Sequence, residues 1–353
     1  MKRVIVASLC VWSVMLLAGC ATNREQEGAA LRREIESSPP PRDFVFPPGL
    51  KKEILALDPE HVTGKDVREV LARAPAPRII EIHGGIYPVY LAMISFSKFL
   101  AGMGYPAVDV RNPGDGSYSF SCYFSSLKIA GAIAWYYERD GLRPMIIGHS
   151  QGGMQAVKVL HELAGDSVKR IDVWNPLTEE SEGRDEITDP LTGRERPVVG
   201  LRVSYTCALA AGGLTRILPN QWDVDGDLRK VPDSTVDFTG YYLGMDILGG
   251  DDLGYGPANW YKATGKATVR NVRLPTSYDH ATIPDTEHLL ASPEMIEWIN
   301  DYTPTNEPAL NVKFKGNSSN ILWAADVWYE IKKHWVLELQ RLIREKEAER
   351  DAG

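Results

Sequence analysis

From Arg78 onward the chain alternates short apolar runs with stretches of helical length, and few architectures accept that order. "RIIEI" (78–82), "AVDV" (107–110), "PMIIG" (144–148) and "RIDVW" (170–174) read as strands. Between them, "PVYLAMISFSKFLAGMG" (88–104), "SSLKIAGAIAWYYERDG" (125–141) and "GMQAVKVLHELAG" (153–165) read as helices, each running into a glycine stop. Two later runs, "FTGYYLGM" (238–245) and "ATVRNVRL" (267–274), read as further strands. Strands and helices in this rhythm build βαβ units, which predicts an α/β fold: a mostly parallel sheet with helices on both faces. Ligands of such sheets bind at the carboxyl ends of the strands.

At one of those ends stands Gly148-His149-Ser150-Gln151-Gly152. The pattern is G-x-S-x-G, a sharp strand-to-helix turn whose flanking positions admit no side chain and which lifts the serine hydroxyl above the sheet. A second turn, His83-Gly84-Gly85, follows the first strand. Its freed amides, those of Gly85 above all, together with the amide of Gln151, are candidate donors to a developing oxyanion.

Together "EIHGGI", "RPMIIGHSQGGMQAVKVL" and "NVRLPTSYDHATIPDTEHLLASPEMIEWI" make Arg78 to Tyr302 resemble an α/β-hydrolase. The resemblance implies a serine, histidine and acid triad in that chain order. A serine hydroxyl is a poor nucleophile near neutral pH until an imidazole takes its proton. Ser150 fits the nucleophile. His280, on the loop past the last strand, is the expected base, and His288, nearer the following helix, is the alternative. For the acid, Asp246 at the end of the penultimate strand is preferred over Asp251 and Asp252 in the adjacent "GGDD". The family also places a cap after its sixth strand. The long region between Trp174 and Phe238 is the expected insertion, about 176–237, with "CALAAGGLTRIL" as the apolar cover of the site. The implied activity is hydrolysis of carboxylic esters through an acyl-enzyme, with no cofactor. Acyl transfer to an alcohol or glycan by the same triad, or a non-catalytic binding protein keeping the fold, are the alternatives.

"WDVDGDL" places Asp223, Asp225 and Asp227 like the start of a calcium loop, but its glycine is misplaced and Ser234 stands where a bidentate glutamate is required. No metal site is expected.

The first residues, "MKRVIVASLCVWSVMLLAGC", have a basic start, an apolar run and small residues before Cys20, the make-up of a secretory signal. "LAGC" resembles the lipobox of bacterial lipoproteins, which implies cleavage after residue 19, lipid on Cys20 and anchorage in the cell envelope. With Ala21 next, the outer membrane is favoured. Losing Lys2 and Arg3 with the signal takes the formal charge from −8 to −10, which argues against nucleic acid as a partner. The expected partners are thus a small ester or lipid substrate and the membrane reached through Cys20. Residues 20–48, polar and then proline-rich, read as a tether to a body spanning 49–310. Cys122 and Cys207 are left either to pair in an oxidising compartment or to stay as buried thiols. The end of the chain, 311–353, reads as an amphipathic helix whose stripe of Trp328, Ile331, Trp335, Leu339 and Leu342 packs on its own domain.

Overall fold

The computed structural model describes residues 25–352, so the signal segment and Cys20 lie outside the described residues. Six parallel strands form the central sheet: β1 (Ile79–His83), β2 (Phe120–Ser121), β3 (Met145–His149), β4 (Val203–Leu209), β5 (Thr235–Leu243) and β6 (Thr268–Leu274). Their spatial order is β6-β5-β4-β3-β1-β2. The direction of winding reverses at β1, which puts a crevice at the carboxyl ends of β1 and β3, where open sheets of this type bind ligands.

Alternate strand residues feed two cores, as a sheet covered on both faces requires. Met145 and Ile147 of β3, Cys207 and Leu209 of β4 and Tyr241 of β5 join the side occupied by helices α1 (Pro48–Ala56), α2 (Tyr87–Gly102), α5 (Pro293–Asn300) and α6 (Ile321–Ala352). Ile146, Ala208 and Phe238 join the other side, under helices α3 (Ser126–Asp140) and α4 (Gln151–Ala164). The stripe of α6 packs on its own domain as its spacing predicts, with Trp328, Ile331, Trp335, Leu339 and Leu342 fully buried. Among the described residues no helix is long and apolar enough to cross a membrane.

Three segments differ from the expectation. "AVDV" is a 3-10 turn, not a strand: the Arg78 guanidinium takes the carbonyls of Val108 and Arg111, each at 2.7 Å, and the place beside β1 goes to Phe120–Ser121. "RIDVW" contributes only Trp174, in a two-residue ribbon with Glu180–Ser181 outside the main sheet. The place beside β3 belongs instead to "VSYTCAL", β4, which the family pattern had put inside a cap. Its small and hydroxylated residues disguise a core strand. Ser204 donates to the carbonyls of Arg143 and Pro144, and Thr206 pairs with Thr235 Oγ1 at 3.1 Å, so their hydroxyls are satisfied where they are buried. A single cap over 176–237 is therefore absent from the fold.

Part of the expected tether is also ordered structure. Residues 25–37 are helical and bury Leu31 and Ile35. Arg32 donates to the Pro113 carbonyl at 3.0 Å and Arg139 to that of Ile35 at 2.8 Å, which fastens this helix to the body.

Beneath the crevice, β1 carries a carboxyl, Glu81, that is 1% exposed. Burial raises its pKa well above the ordinary value, against the one hydrogen bond that Ser97 offers. Ser97 Oγ lies 2.7 Å from Glu81 Oε2 and 3.1 Å from the Met93 carbonyl oxygen. With one proton to give, the serine meets both contacts when the carboxyl is protonated and donates to it. The unfolded chain ionises near pH 4.5 while the folded one stays neutral, so this group removes stability progressively as pH rises above about 4.5. Glu81→Gln is expected to melt higher than the parent at pH 8, by about 2 °C or more for each kcal/mol recovered, and to show no such gain at pH 4. Melts at the two pH values check it, and a gain that is equal at both would refute the protonated assignment.

Candidate active site

Ser150 sits between β3 and α4 with φ 59° and ψ −125°, a backbone region costly for any residue with a side chain. The turn is held from both sides: the Ser150 amide donates to the Leu209 carbonyl at 2.8 Å, and Gly153 N donates back to the Ser150 carbonyl at 2.9 Å. Tightness explains the glycine at 152, because a Cβ there would fall 2.0 Å from the Ile82 carbonyl oxygen of β1. The hydroxyl is thus fixed beside the first strand, above the crevice.

The loop past β6 brings His280 to it. His280 Nε2 lies 2.9 Å from Ser150 Oγ, and Nδ1 lies 2.9 Å from Asp246 Oδ2. A ring nitrogen facing a carboxylate carries the proton, which leaves Nε2 as acceptor toward the serine hydroxyl. Asp246, at the end of β5, uses its other oxygen to accept from the amides of Leu248 and Gly249 at 3.0 and 2.9 Å. Both side chains are nearly buried, at 9% and 3% exposed, so the ion pair that would form on protonating the imidazole is shielded from water.

His149, the residue before the nucleophile, adds a support. Its Nε2 lies 2.8 Å from the carbonyl oxygen of His280, so this nitrogen is the donor and the bond holds the backbone of the histidine loop. Burial, then the neighbouring His280, push the pKa of His149 well below its ordinary value, which keeps the ring neutral.

The alternative residues stand elsewhere. His288 lies in a 3-10 turn (Glu287–Ala291), its Nε2 3.5 Å from Ser319 Oγ just before α6. Asp251 is clamped by Arg216 and Arg229 and accepts the Gly213 amide at 3.0 Å. Burial works against its charge, but hydrogen bonds and charges from the two arginines outweigh that and hold its carboxyl at about 2. It braces the acid loop against segment 213–217, a structural task invisible in "GGDD". Asp252 is exposed.

Of the two oxyanion candidates, Gln151 opens α4, so its amide has no intrahelical acceptor and lies at the positive end of the helix. At the β1 turn it is Gly84 that touches the nucleophile: a Cβ there would lie 2.8 Å from Ser150 Cβ. Gly85 is one residue further out, against the Gln151 side chain and the Tyr123 hydroxyl. Cys122 and Cys207 are free and buried, which decides between the two expectations for them. Burial pushes the Cys122 thiol up to about 12 and that of Cys207 well above its ordinary value, so neither competes as a nucleophile. The acids of "WDVDGDL" face basic partners: Asp223 meets Lys158, Asp225 meets Arg216 and Asp227 meets Lys230.

Two kinds of surface adjoin the site. At the ends of β4 and β5, segment 213–217 bonds to the acid loop through Leu214 N to the Ile247 carbonyl, and Leu214, Ile217, Met245 and Ile247 stand more than half exposed there. On the β1 side a groove of about 370 Å³ opens next to Gly84, lined by tyrosines, serines, His83, the exposed Ile86 and one carboxylate. No protein-family model matches this chain, and neither a curated protein nor a solved structure matches it.

Proposed function

We propose that the chain is a serine hydrolase of carboxylic esters, built as an α/β-hydrolase. The observation that carries this reading is the unbroken relay Ser150 to His280 to Asp246, with both contacts at 2.9 Å. In the proposed cycle Ser150 Oγ attacks the ester carbonyl carbon while its proton passes to His280 Nε2. The charge on the carbonyl oxygen is met by the Gln151 amide and the amides of the Gly84–Gly85 turn. His280 then gives the proton to the departing alcohol oxygen as the C–O bond breaks, leaving Ser150 acylated. A water, deprotonated by the same nitrogen, attacks the acyl carbon, and the acid departs as the proton returns to Ser150. Asp246 orients the imidazole and stabilises its charged form throughout. The exposed apolar residues around the acid loop suit the greasy part of an ester. Anchorage in the envelope through a lipidated Cys20 belongs to the same proposal and rests on the first residues of the sequence alone.

A fluorophosphonate probe tests the central claim. Ser150 is expected to be labelled, with an initial burst of chromophore from a p-nitrophenyl ester, and Ser150→Ala is expected to lose both. Unlabelled parent protein with no burst would leave a fold with an idle serine and end the reading.

A further inference from the structure

We infer that the groove beside Gly84 seats a neutral, polyhydroxylated ring, so that the ester cleaved at Ser150 is a sugar ester. The inference rests on the esterase reading above and deepens it. The groove starts at the turn that touches Ser150, so a ring lying in it presents a substituent to the nucleophile without crossing the apolar surface on the opposite side. Its volume, about 370 Å³, falls at the small end of the range for ligand pockets and fits one or two pyranose rings rather than a long chain.

The lining is the reason for the ligand class. Tyr87, in the first turn of α2, and Tyr123, just past β2, are 67% and 61% exposed and come from different elements flanking the turn. Their rings offer negative faces to the weakly positive axial C–H groups of a pyranose, while their hydroxyls can bond to its oxygens. Tyr90 extends this wall, packing 4.8 Å from the His83 ring and 6.1 Å from Tyr87. Asp115 adds a fixed acceptor: one of its oxygens receives Asn112 Nδ2 and Ser117 N at 3.0 Å each, which sets the carboxylate in place at the groove. His83 bonds Ser119 through Nδ1 at 2.8 Å, and burial depresses its pKa to about 4, so it lines the groove as a neutral imidazole.

Charge and desolvation exclude the rivals. No lysine or arginine lines this groove and one carboxylate does, which disfavours a phosphate, a uronate or any anionic headgroup. An alkyl chain would strip water from the serine, aspartate and tyrosine oxygens without replacing their hydrogen bonds. Hydroxyl groups on a ring satisfy them.

The test compares two primary esters of equal ring size in acetyl and butanoyl forms: the 6-O-acyl ester of methyl glucopyranoside and the corresponding cyclohexylmethyl ester, which lacks the ring hydroxyls. The parent protein is expected to prefer the sugar ester by about tenfold or more in kcat/KM, the worth of one or two hydrogen bonds. Tyr87→Ala and Asp115→Asn, both at exposed positions, are expected to bring that ratio toward unity through KM, with melts confirming that each is folded. A ratio near one in the parent, or a ratio that both variants leave intact, overturns the inference. So does labelling of Ser150 by fluorophosphonate with neither ester cleaved, an outcome that spares the serine hydrolase reading. Absence of labelling and of cleavage together would bring down both.

Discussion

His280→Ala is expected to lose turnover of a p-nitrophenyl ester by at least about 10³-fold, while His288→Ala keeps nearly all of it. The expectation follows from geometry, because only His280 has a ring nitrogen 2.9 Å from Ser150 Oγ and its other nitrogen on a buried carboxylate. Without that imidazole the attacking hydroxyl must lose its proton to water. Fluorophosphonate labelling, which needs the same activated oxygen, should slow in parallel. His288 contacts Ser319 at 3.5 Å and stands on the turn leading to α5, so its removal alters a surface contact. His149→Gln provides an intermediate case: it touches no reacting atom, but it loses the ring that holds the His280 carbonyl. Labelling that survives in folded His280→Ala and vanishes in His288→Ala would reverse the assignment.

The difference in legibility between these residues has a physical origin. Ser150 could be read because the strand-to-helix turn imposes its glycines locally, within five positions. His280 and Asp246 could be read because consecutive parallel strands deliver their carboxyl ends to one edge of the sheet, so a polar residue just past the end of a strand is already near the crevice. Nothing local marks β4. "VSYTCAL" has the same small and hydroxylated residues as an exposed insertion, and only its two neighbours in the sheet give Ser204 and Thr206 partners in the interior. "AVDV" fails in the opposite sense: its composition is that of a strand, but Arg78 captures the carbonyls a ladder would use. The helix over 25–37 escaped because its apolar residues are few and polar ones surround them, so its docking depends on Arg32 and Arg139 finding backbone carbonyls far along the chain. The groove is also a product of tertiary structure, since Tyr87, Asp115 and Tyr123 meet only when β2 closes beside β1.

A second large effect is expected far from the serine. Asp326 of α6 is fully buried, accepts the Tyr241 hydroxyl of β5 at 2.5 Å, and pairs with Arg270 of β6. It is therefore the point at which the last helix is fixed to the two strands whose carboxyl ends carry Asp246 and the loop to His280. Asp326→Ala leaves a partly buried guanidinium, 21% exposed, that has lost its fully buried partner, with Glu330 at 2.9 Å as the remaining one, and a tyrosine hydroxyl without an acceptor. Breaking a buried pair from one side costs about 3–5 kcal/mol, and the urea midpoint should fall accordingly. Replacing both partners with apolar residues, Asp326→Leu with Arg270→Met, should recover only part of the loss, because the unpaired guanidinium is gone but Glu330 then loses its Arg270 contact and the Tyr241 hydroxyl still lacks its acceptor. Turnover per folded molecule at low temperature is expected to stay close to that of the parent in the double variant, since neither residue contacts the relay. A single variant as stable as the parent would show that Glu330 alone satisfies Arg270, and that α6 is held by its three buried tryptophans, Trp323, Trp328 and Trp335, without help from the ion pair.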